Sequence, residues 1–136
     1  IDLPTLAGSA WGTVDSDVMR RYVVSKKKPF YMMTSWNAKS THGKNFIKKY
    51  KKSFAKEPSA DSAYGYDLGV IVAQLLKNSK TPYTKESFSH SLKEKNCFSN
   101  LSIGQLCLNK NGGHATRPIF FLKYSSNGFV EFDVKN

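Results

Sequence analysis

The sequence predicts an α/β fold, and three observations lead to that prediction. The length of 136 residues, of which 40% are hydrophobic, is enough for one domain with a real core. The first part of the chain has a strand, helix, strand order, which implies a parallel pair of strands joined by a crossover. The last part carries short apolar runs separated by turn residues, as strands of a sheet do.

The first elements are a strand, a helix and a second strand. Residues 3–7 are a short apolar run, and the small residues over 8–12 predict a turn. Asp15 or Ser16 can cap the helix that follows, because their side-chain oxygens accept hydrogen bonds from first-turn amides. Residues 30–33 are predicted to be the next strand.

Residues 46–54 carry apolar side chains at helical spacing, which predicts an amphipathic helix with one very basic face. That face could be a solvated outer surface, or a stripe that binds a polyanion or a membrane surface. Both readings stay open. The lysines of this face are Lys44, Lys48, Lys49, Lys51, Lys52 and Lys56.

A second helix is predicted over 60–78. It is apolar nearly all round from Leu68 to Leu76, so we expect it to be buried against a sheet. Gly65 and Gly69 are four residues apart and therefore share one face, which predicts close packing of another backbone there.

The remaining pattern predicts a short helix and three strands. Thr84 is a candidate N-cap for a helix that ends near Lys95. Apolar runs then follow, and Asn127-Gly128 between the last two predicts a hairpin because both residues tolerate a positive φ. The three strands are expected at 104–108, 119–124 and 129–134.

Charge and chemistry exclude several function classes. The net charge of +11 could attract a polyanion, but the arginines, which make bidentate contacts to bases, are only Arg20, Arg21 and Arg117. Nucleic-acid binding is therefore disfavoured. The histidines are far apart, and no phosphate-binding loop or nucleophile motif is present, so we expect neither an enzyme nor a cofactor.

Cys97 and Cys107 are the only cysteines. A bridge between them would close a short loop and contribute about 2 to 3 kcal/mol if unstrained. Two small buried thiols are the alternative, and the sequence leaves both open.

Four segments together resemble a known family. Residues 46–54 precede a block from Glu57 to Leu68 that contains Tyr66-Asp67, and residues 104–112 follow it. With residues 3–11, these segments resemble the ordered landmarks of the type I periplasmic binding proteins, which include the branched-chain amino acid receptors of ABC importers. The resemblance covers nearly the whole chain but only the C-terminal part of the family.

The resemblance implies two α/β lobes, built from interleaved segments in a three-layer arrangement, that close on a small ligand. Residues 1–36 and 104–136 would belong to one lobe, and residues 37–103 to the other. The implied function is non-catalytic: an exported or periplasmic solute-binding component that serves the membrane subunits of an importer. The chain begins at Ile1 without a leader, which predicts a mature, truncated or proteolysed form.

The resemblance also implies ligand-binding positions. The turn with Ser9, Ala10 and Trp11 would face the cleft, and Ala10 stands where amino acid receptors often have an acidic residue. Asp61 stands where an aromatic residue commonly covers the ligand, and it could instead be a first-turn residue stabilised by the helix dipole. Tyr64 and Trp11 could stack on a ligand, or pack in the core or at its rim.

Two other functions remain open beside the receptor. One is a scaffold or interaction protein that kept the fold without the cleft, and the other is a basic polyanion-binding module. A part of this fold would leave apolar surfaces unpaired. We therefore expect association with a missing N-terminal portion or with further copies of the chain.

Overall fold

The structure is a computed structural model that describes residues 4–8, 18, 21–23, 25, 29–78, 83–109, 115–125 and 128–132. Its contacts divide the chain into two compact units. Unit 1 comprises residues 1–37 and 119–136, and unit 2 comprises residues 38–118. The lobe boundaries that the resemblance implies, near residues 36 and 104, stay a prediction.

Ten elements can be bounded in the described residues, and most lie where the sequence predicts them. In chain order they are β1 (Thr5–Ala7), β2 (Phe30–Thr34), α1 (Thr41–Phe54), α2 (Ala60–Asn78), α3 (Lys85–Glu94), β3 (Cys97–Leu101), β4 (Gly104–Leu108), β5 (Ala115–Thr116), β6 (Phe120–Ser125) and β7 (Gly128–Glu131).

Unit 1 contains a four-stranded sheet in the order β1-β2-β6-β7. β1 and β2 are parallel, as the predicted crossover requires, while β6 is antiparallel to both β2 and β7. The predicted hairpin is confirmed, since Ser125 pairs with Gly128, whose φ of 84° suits glycine. Residues 18, 21–23 and 25 are helical, where the sequence predicts the crossover helix.

One face of this sheet forms the core of unit 1. Ala7, Phe30, Met32 and Leu122 are buried there, and Tyr22 and Phe129 pack against them. The opposite face is also apolar but is open. On it Leu6 is 74% exposed and Met33 is 46% exposed, with Phe121 beside Met33 across the strands. Both faces of the sheet are thus apolar, as in sheets that are buried on both sides, but the described residues pack against only one of them.

In unit 2, α1 is the predicted amphipathic helix. It begins at Ser40, whose hydroxyl accepts a hydrogen bond from the Gly43 amide at 3.0 Å. Phe46 is its buried anchor, and the lysines lie on its exposed side. The helix ends at Ala55, which takes a left-handed conformation with φ 53° and donates its amide to the Lys51 carbonyl.

The predicted burial of α2 is only partly correct. Ala60, Ala63 and Leu75 are buried along one side of the helix, but Leu68 is 62% exposed. The close packing predicted at Gly65 and Gly69 is wrong within the described residues, because a Cβ at either position would meet nothing within 4 Å. The sequence identified a face of small residues correctly, but no described backbone lies on it.

The second sheet of unit 2 has the order β3-β4-β5, and both pairs are antiparallel. Neither β3 nor β5 was predicted. Cys97 in β3 is paired directly with Cys107 in β4, and the two form a disulfide, which is the first of the two alternatives above. α3 precedes this sheet and begins with the expected cap at Thr84, which exchanges two hydrogen bonds with Ser87.

Candidate functional site

The best-defined polar contact of unit 2 joins α2 to the turn between β3 and β4. Asp67 is 6% exposed and Ser102 is 1% exposed. The Ser102 amide donates to Asp67 Oδ1 at 2.5 Å, and the Ser102 hydroxyl donates to Oδ2 at 2.9 Å. These hydrogen bonds give Asp67 a structural role, because they tie the turn to α2.

Burial dominates the electrostatics of this carboxyl group. Desolvation raises the pKa of Asp67 above its ordinary value, although hydrogen bonds from the Ser102 amide and hydroxyl and from the Ile103 amide oppose the shift. All the donors to the Asp67 carboxyl group lie on the β3–β4 turn, so the carboxyl group fixes the position of that turn against α2. It is therefore a positioning element and not a candidate acid or base.

Aromatic rings connect α1 to α2 beside this contact. The Phe46 ring lies 5.1 Å from the Tyr66 ring and 5.6 Å from the Tyr50 ring, measured between centroids. Phe46 is buried and Tyr66 is half-buried. The rings pack α1 against α2.

A cavity of about 90 Å³ opens at the junction of α1, α2 and the β3–β4 turn. Its floor is made by Phe46, Leu101 and Ser102. Its polar lining comes from three separate elements, namely His42, Asn45 and Lys49 of α1, Tyr66 of α2 and Asn100 of β3. We call it the polar cavity.

The hairpin and α1 fit closely at one side of the polar cavity. Gly104 has a φ of 96°, and a Cβ there would lie 2.9 Å from His42 Cδ2. Asn100, near the end of β3, has a φ of 62°, which asparagine tolerates better than most residues. The hairpin thus takes a backbone course that glycine and asparagine permit, and this course brings Gly104 against the His42 ring.

The ligand-binding positions that the resemblance implies are only partly described by the structure. Ser9, Ala10 and Trp11 lie outside the described residues. Asp61 is exposed in the first turn of α2, and Tyr64 is half-buried one turn later. These two residues therefore share a face of α2, and neither lines the polar cavity. Their ligand role stays a prediction.

Sequence reasoning missed the polar cavity. It did not consider His42, Asn45, Lys49 or Asn100 as site residues, and the structure leaves all four exposed. A signal was available within α1, because His42, Asn45 and Lys49 follow the i, i+3, i+7 spacing of one helix face. The contributions of Tyr66 and Asn100 carry no such local signal.

The described part of the chain lacks two other kinds of feature. Among those residues, no group of three or more histidine, cysteine, aspartate or glutamate side chains could hold a metal ion. No helix in the described ranges is long and apolar enough to cross a membrane.

Comparison with known proteins gives a clear result for the fold. No protein-family model and no curated protein matches the sequence. An ABC transporter substrate-binding protein from Desulfitobacterium hafniense, solved in complex with Leu, matches with a TM-score of 0.71 and 15% identity. That match covers 97% of this chain and 36% of the other.

A leucine-binding protein from Thermotoga maritima matches with a TM-score of 0.69 and 18% identity, over 94% of this chain and 36% of that one. The expected fold is therefore confirmed: the chain has the type I periplasmic-binding-protein fold. It spans about 36% of the length of these two structures.

Proposed function

We propose that the chain is the C-terminal portion of a non-catalytic solute-binding component of an ABC-type importer, with a small polar ligand such as an amino acid. One observation carries this proposal. Nearly the whole chain superposes on a substrate-binding protein solved with Leu, and it does so over about a third of that protein. An exported or periplasmic location belongs to the same proposal.

The division into units supports this function. In a two-lobed receptor built from interleaved segments, a C-terminal portion contains a part of each lobe. We assign unit 1 to one lobe and unit 2 to the other, with crossings near residues 37 and 118. The first of these boundaries agrees with the one expected after residue 36. The second lies after β5, where the resemblance implied a boundary before residue 104.

Open apolar surfaces in each unit support a missing portion. Leu6 and Met33 lie on the open face of the unit 1 sheet, and Leu68 lies beside the two glycines on the open face of α2. Monomeric proteins seldom leave such surfaces in contact with water. We propose that the remainder of the two-lobed fold covers them, and that further copies of the chain do so where the remainder is absent.

Intact mass of the protein from its natural source tests the proposal first. A mass well above 15.3 kDa supports a C-terminal portion of a longer receptor. A mass equal to that of the chain refutes a clamp made within one polypeptide. Light scattering on the chain itself then tests association, because a compact monomer contradicts the need for a covering partner.

Ligand binding is tested on the natural full-length protein with thermal shifts for leucine and for a panel of other amino acids. A bound ligand at 100 times its Kd stabilises the protein by about 2.7 kcal/mol. Asp61→Ala is the informative variant, because Asp61 stands at the implied ligand position. Glu86→Ala is its matched control, since Glu86 is an exposed acidic residue in the first turn of α3.

The two variants separate a ligand role from a helix-dipole role. If Asp61 contacts the ligand, Asp61→Ala reduces the ligand-induced shift while Glu86→Ala leaves it unchanged. If both variants lower the unliganded midpoint equally and keep the full shift, Asp61 acts only on its helix. An absence of any shift across the panel contradicts the amino acid ligand.

One observation favours polyanion binding as a second candidate. α1 has no acidic residue in its first turn, has Lys51 and Lys52 in its last turn, and exposes its lysines on one side. A polyanion complex of this kind weakens steeply with salt. The test is retention of the chain on heparin at low salt. If the double variant Lys48→Gln, Lys52→Gln elutes at a much lower salt concentration than the parent, the lysine face binds polyanions and is not merely a solvated surface.

A further inference from the structure

The polar cavity is partly open to solvent, and its polar lining has one kind of chemistry. Asparagine, tyrosine, lysine and histidine side chains can all donate hydrogen bonds toward its interior. Lys49 contributes a positive charge. No aspartate or glutamate is among the lining residues in the described part of the chain. Donors around a cation, without a carboxylate, suit a negatively charged oxygen ligand.

The size of the cavity limits the ligand. A single water needs about 10–15 Å³ of cavity volume measured in this way, so about 90 Å³ holds several waters or one small oxyanion. A side chain of ordinary size or a nucleotide would not fit within the walls. A phosphate, a sulfate or a free carboxylate group would.

Part of the wall is held in place before any ligand arrives. Two hydrogen bonds from Ser102 to Asp67 fix the β3–β4 turn, and the ring contact with Phe46 fixes Tyr66. The disulfide closes the same hairpin one strand length away. The turn and the Tyr66 ring therefore lose little conformational entropy when a ligand binds, which favours binding of a small ligand.

We propose that the polar cavity is a binding site for a small oxyanion. Lys49 supplies the positive charge, and Asn45, Tyr66 and Asn100 donate hydrogen bonds to the anion. The site lies wholly within unit 2 and does not depend on the proposed receptor function. It uses none of the residues that the resemblance assigns to ligand binding.

The test is a titration of the folded chain with potassium phosphate, followed by amide and side-chain NMR signals at constant ionic strength set with potassium chloride. Saturable shifts of the Asn45, Tyr66 and Asn100 signals, with a Kd in the millimolar range, support the site. Parallel titrations with sulfate and with acetate identify which oxyanion binds best. Signals that move linearly and without saturation in all three titrations overturn the proposal.

Paired variants separate a site from the general charge of α1. Lys49→Gln is expected to weaken binding about tenfold, since it removes a charged hydrogen-bond donor. Lys48→Gln removes the same charge from the neighbouring position, which does not line the cavity, and should change the Kd less than twofold. Equal weakening by both variants would mean that only the field of the lysine face acts on the anion.

A third variant addresses the donors without changing charge. Tyr66→Phe keeps the ring that packs on Phe46 and removes only the hydroxyl group. It should weaken binding about threefold to tenfold with an otherwise unchanged spectrum. An unchanged Kd, together with saturable binding, removes Tyr66 from the site. An unchanged Kd in both Tyr66→Phe and Lys49→Gln overturns the site as assigned.

Discussion

Asp67 and Ser102 allow one stability prediction to be worked through. Asp67→Ala removes the acceptor for the Ser102 amide, which is 2.5 Å away on a residue that is 1% exposed. An unsatisfied buried amide costs about 1–3 kcal/mol. The Ser102 hydroxyl also loses its 2.9 Å partner but can turn fully to the Ala63 carbonyl, 3.5 Å away, so its share is about 1 kcal/mol or less.

Removing the carboxyl group also recovers the cost of having buried it. We therefore expect Asp67→Ala to lower the free energy of unfolding by about 1–3 kcal/mol. Asp67→Asn keeps one oxygen that can accept from the Ser102 amide, so it should cost about 1 kcal/mol or less. Asp61→Ala is the matched control, because Asp61 is an exposed residue of the same helix.

Urea denaturation measures the global effect, and amide exchange measures the local one. In Asp67→Ala the Ser102 amide should exchange much faster, while amides of β6 in unit 1 keep their rates. If Asp67→Ala and Asp61→Ala unfold at the same urea concentration and the Ser102 amide exchanges as before, the carboxylate does not hold the turn. That result would refute the reasoning.

Three further predictions concern pH, the hairpin and the end of α1. Because burial raises the Asp67 pKa, the folded protein binds this proton more tightly than the unfolded chain, so its stabilisation is full at low pH and is lost as pH rises through the raised pKa. The parent should thus gain stability over Asp67→Asn between pH 7 and pH 4, and a constant difference in urea midpoints would contradict this. Replacing Cys97 and Cys107 together by serine should lower the free energy of unfolding by about 2.7 kcal/mol for a sequence separation of 10, and unchanged denaturation under oxidising conditions would show that the bridge adds nothing. Ala55→Gly should raise the thermal midpoint, with a gain of about 0.5–1 kcal/mol, since Ala55 holds a left-handed φ of 53°; a lower midpoint would mean that its methyl group packs favourably.

The sequence predicted best the elements whose patterns are local. β2, β4 and the β6–β7 hairpin follow apolar runs and an Asn-Gly turn, and α1 follows a strong 3.6-residue period. β3 was missed because Ser99 and Asn100 interrupt its apolar pattern, and its strand form comes from pairing with β4. Tertiary pairing, not propensity, decides that segment.

The site was harder to predict than the fold for a physical reason. The polar cavity forms where α1, α2 and a turn meet, so spacing relates only its α1 residues and nothing local connects them to Tyr66 or Asn100. The face of α2 that carries Gly65 and Gly69 shows a related limit of sequence patterns. A helical period shows which residues share a face, but it does not show what packs on that face.

The pairing of β2 with β6 has a consequence for how the chain folds. Thr34, at the end of β2, is the cross-strand partner of Phe120, at the start of β6, and all of unit 2 lies between them in the chain. Unit 2 is therefore an insertion into what would otherwise be a hairpin. Closing so long a loop from an open chain is entropically costly, and early collapse of the insertion lowers that cost. The central strand pair of unit 1 should thus form late, after the inserted unit has drawn its two ends together.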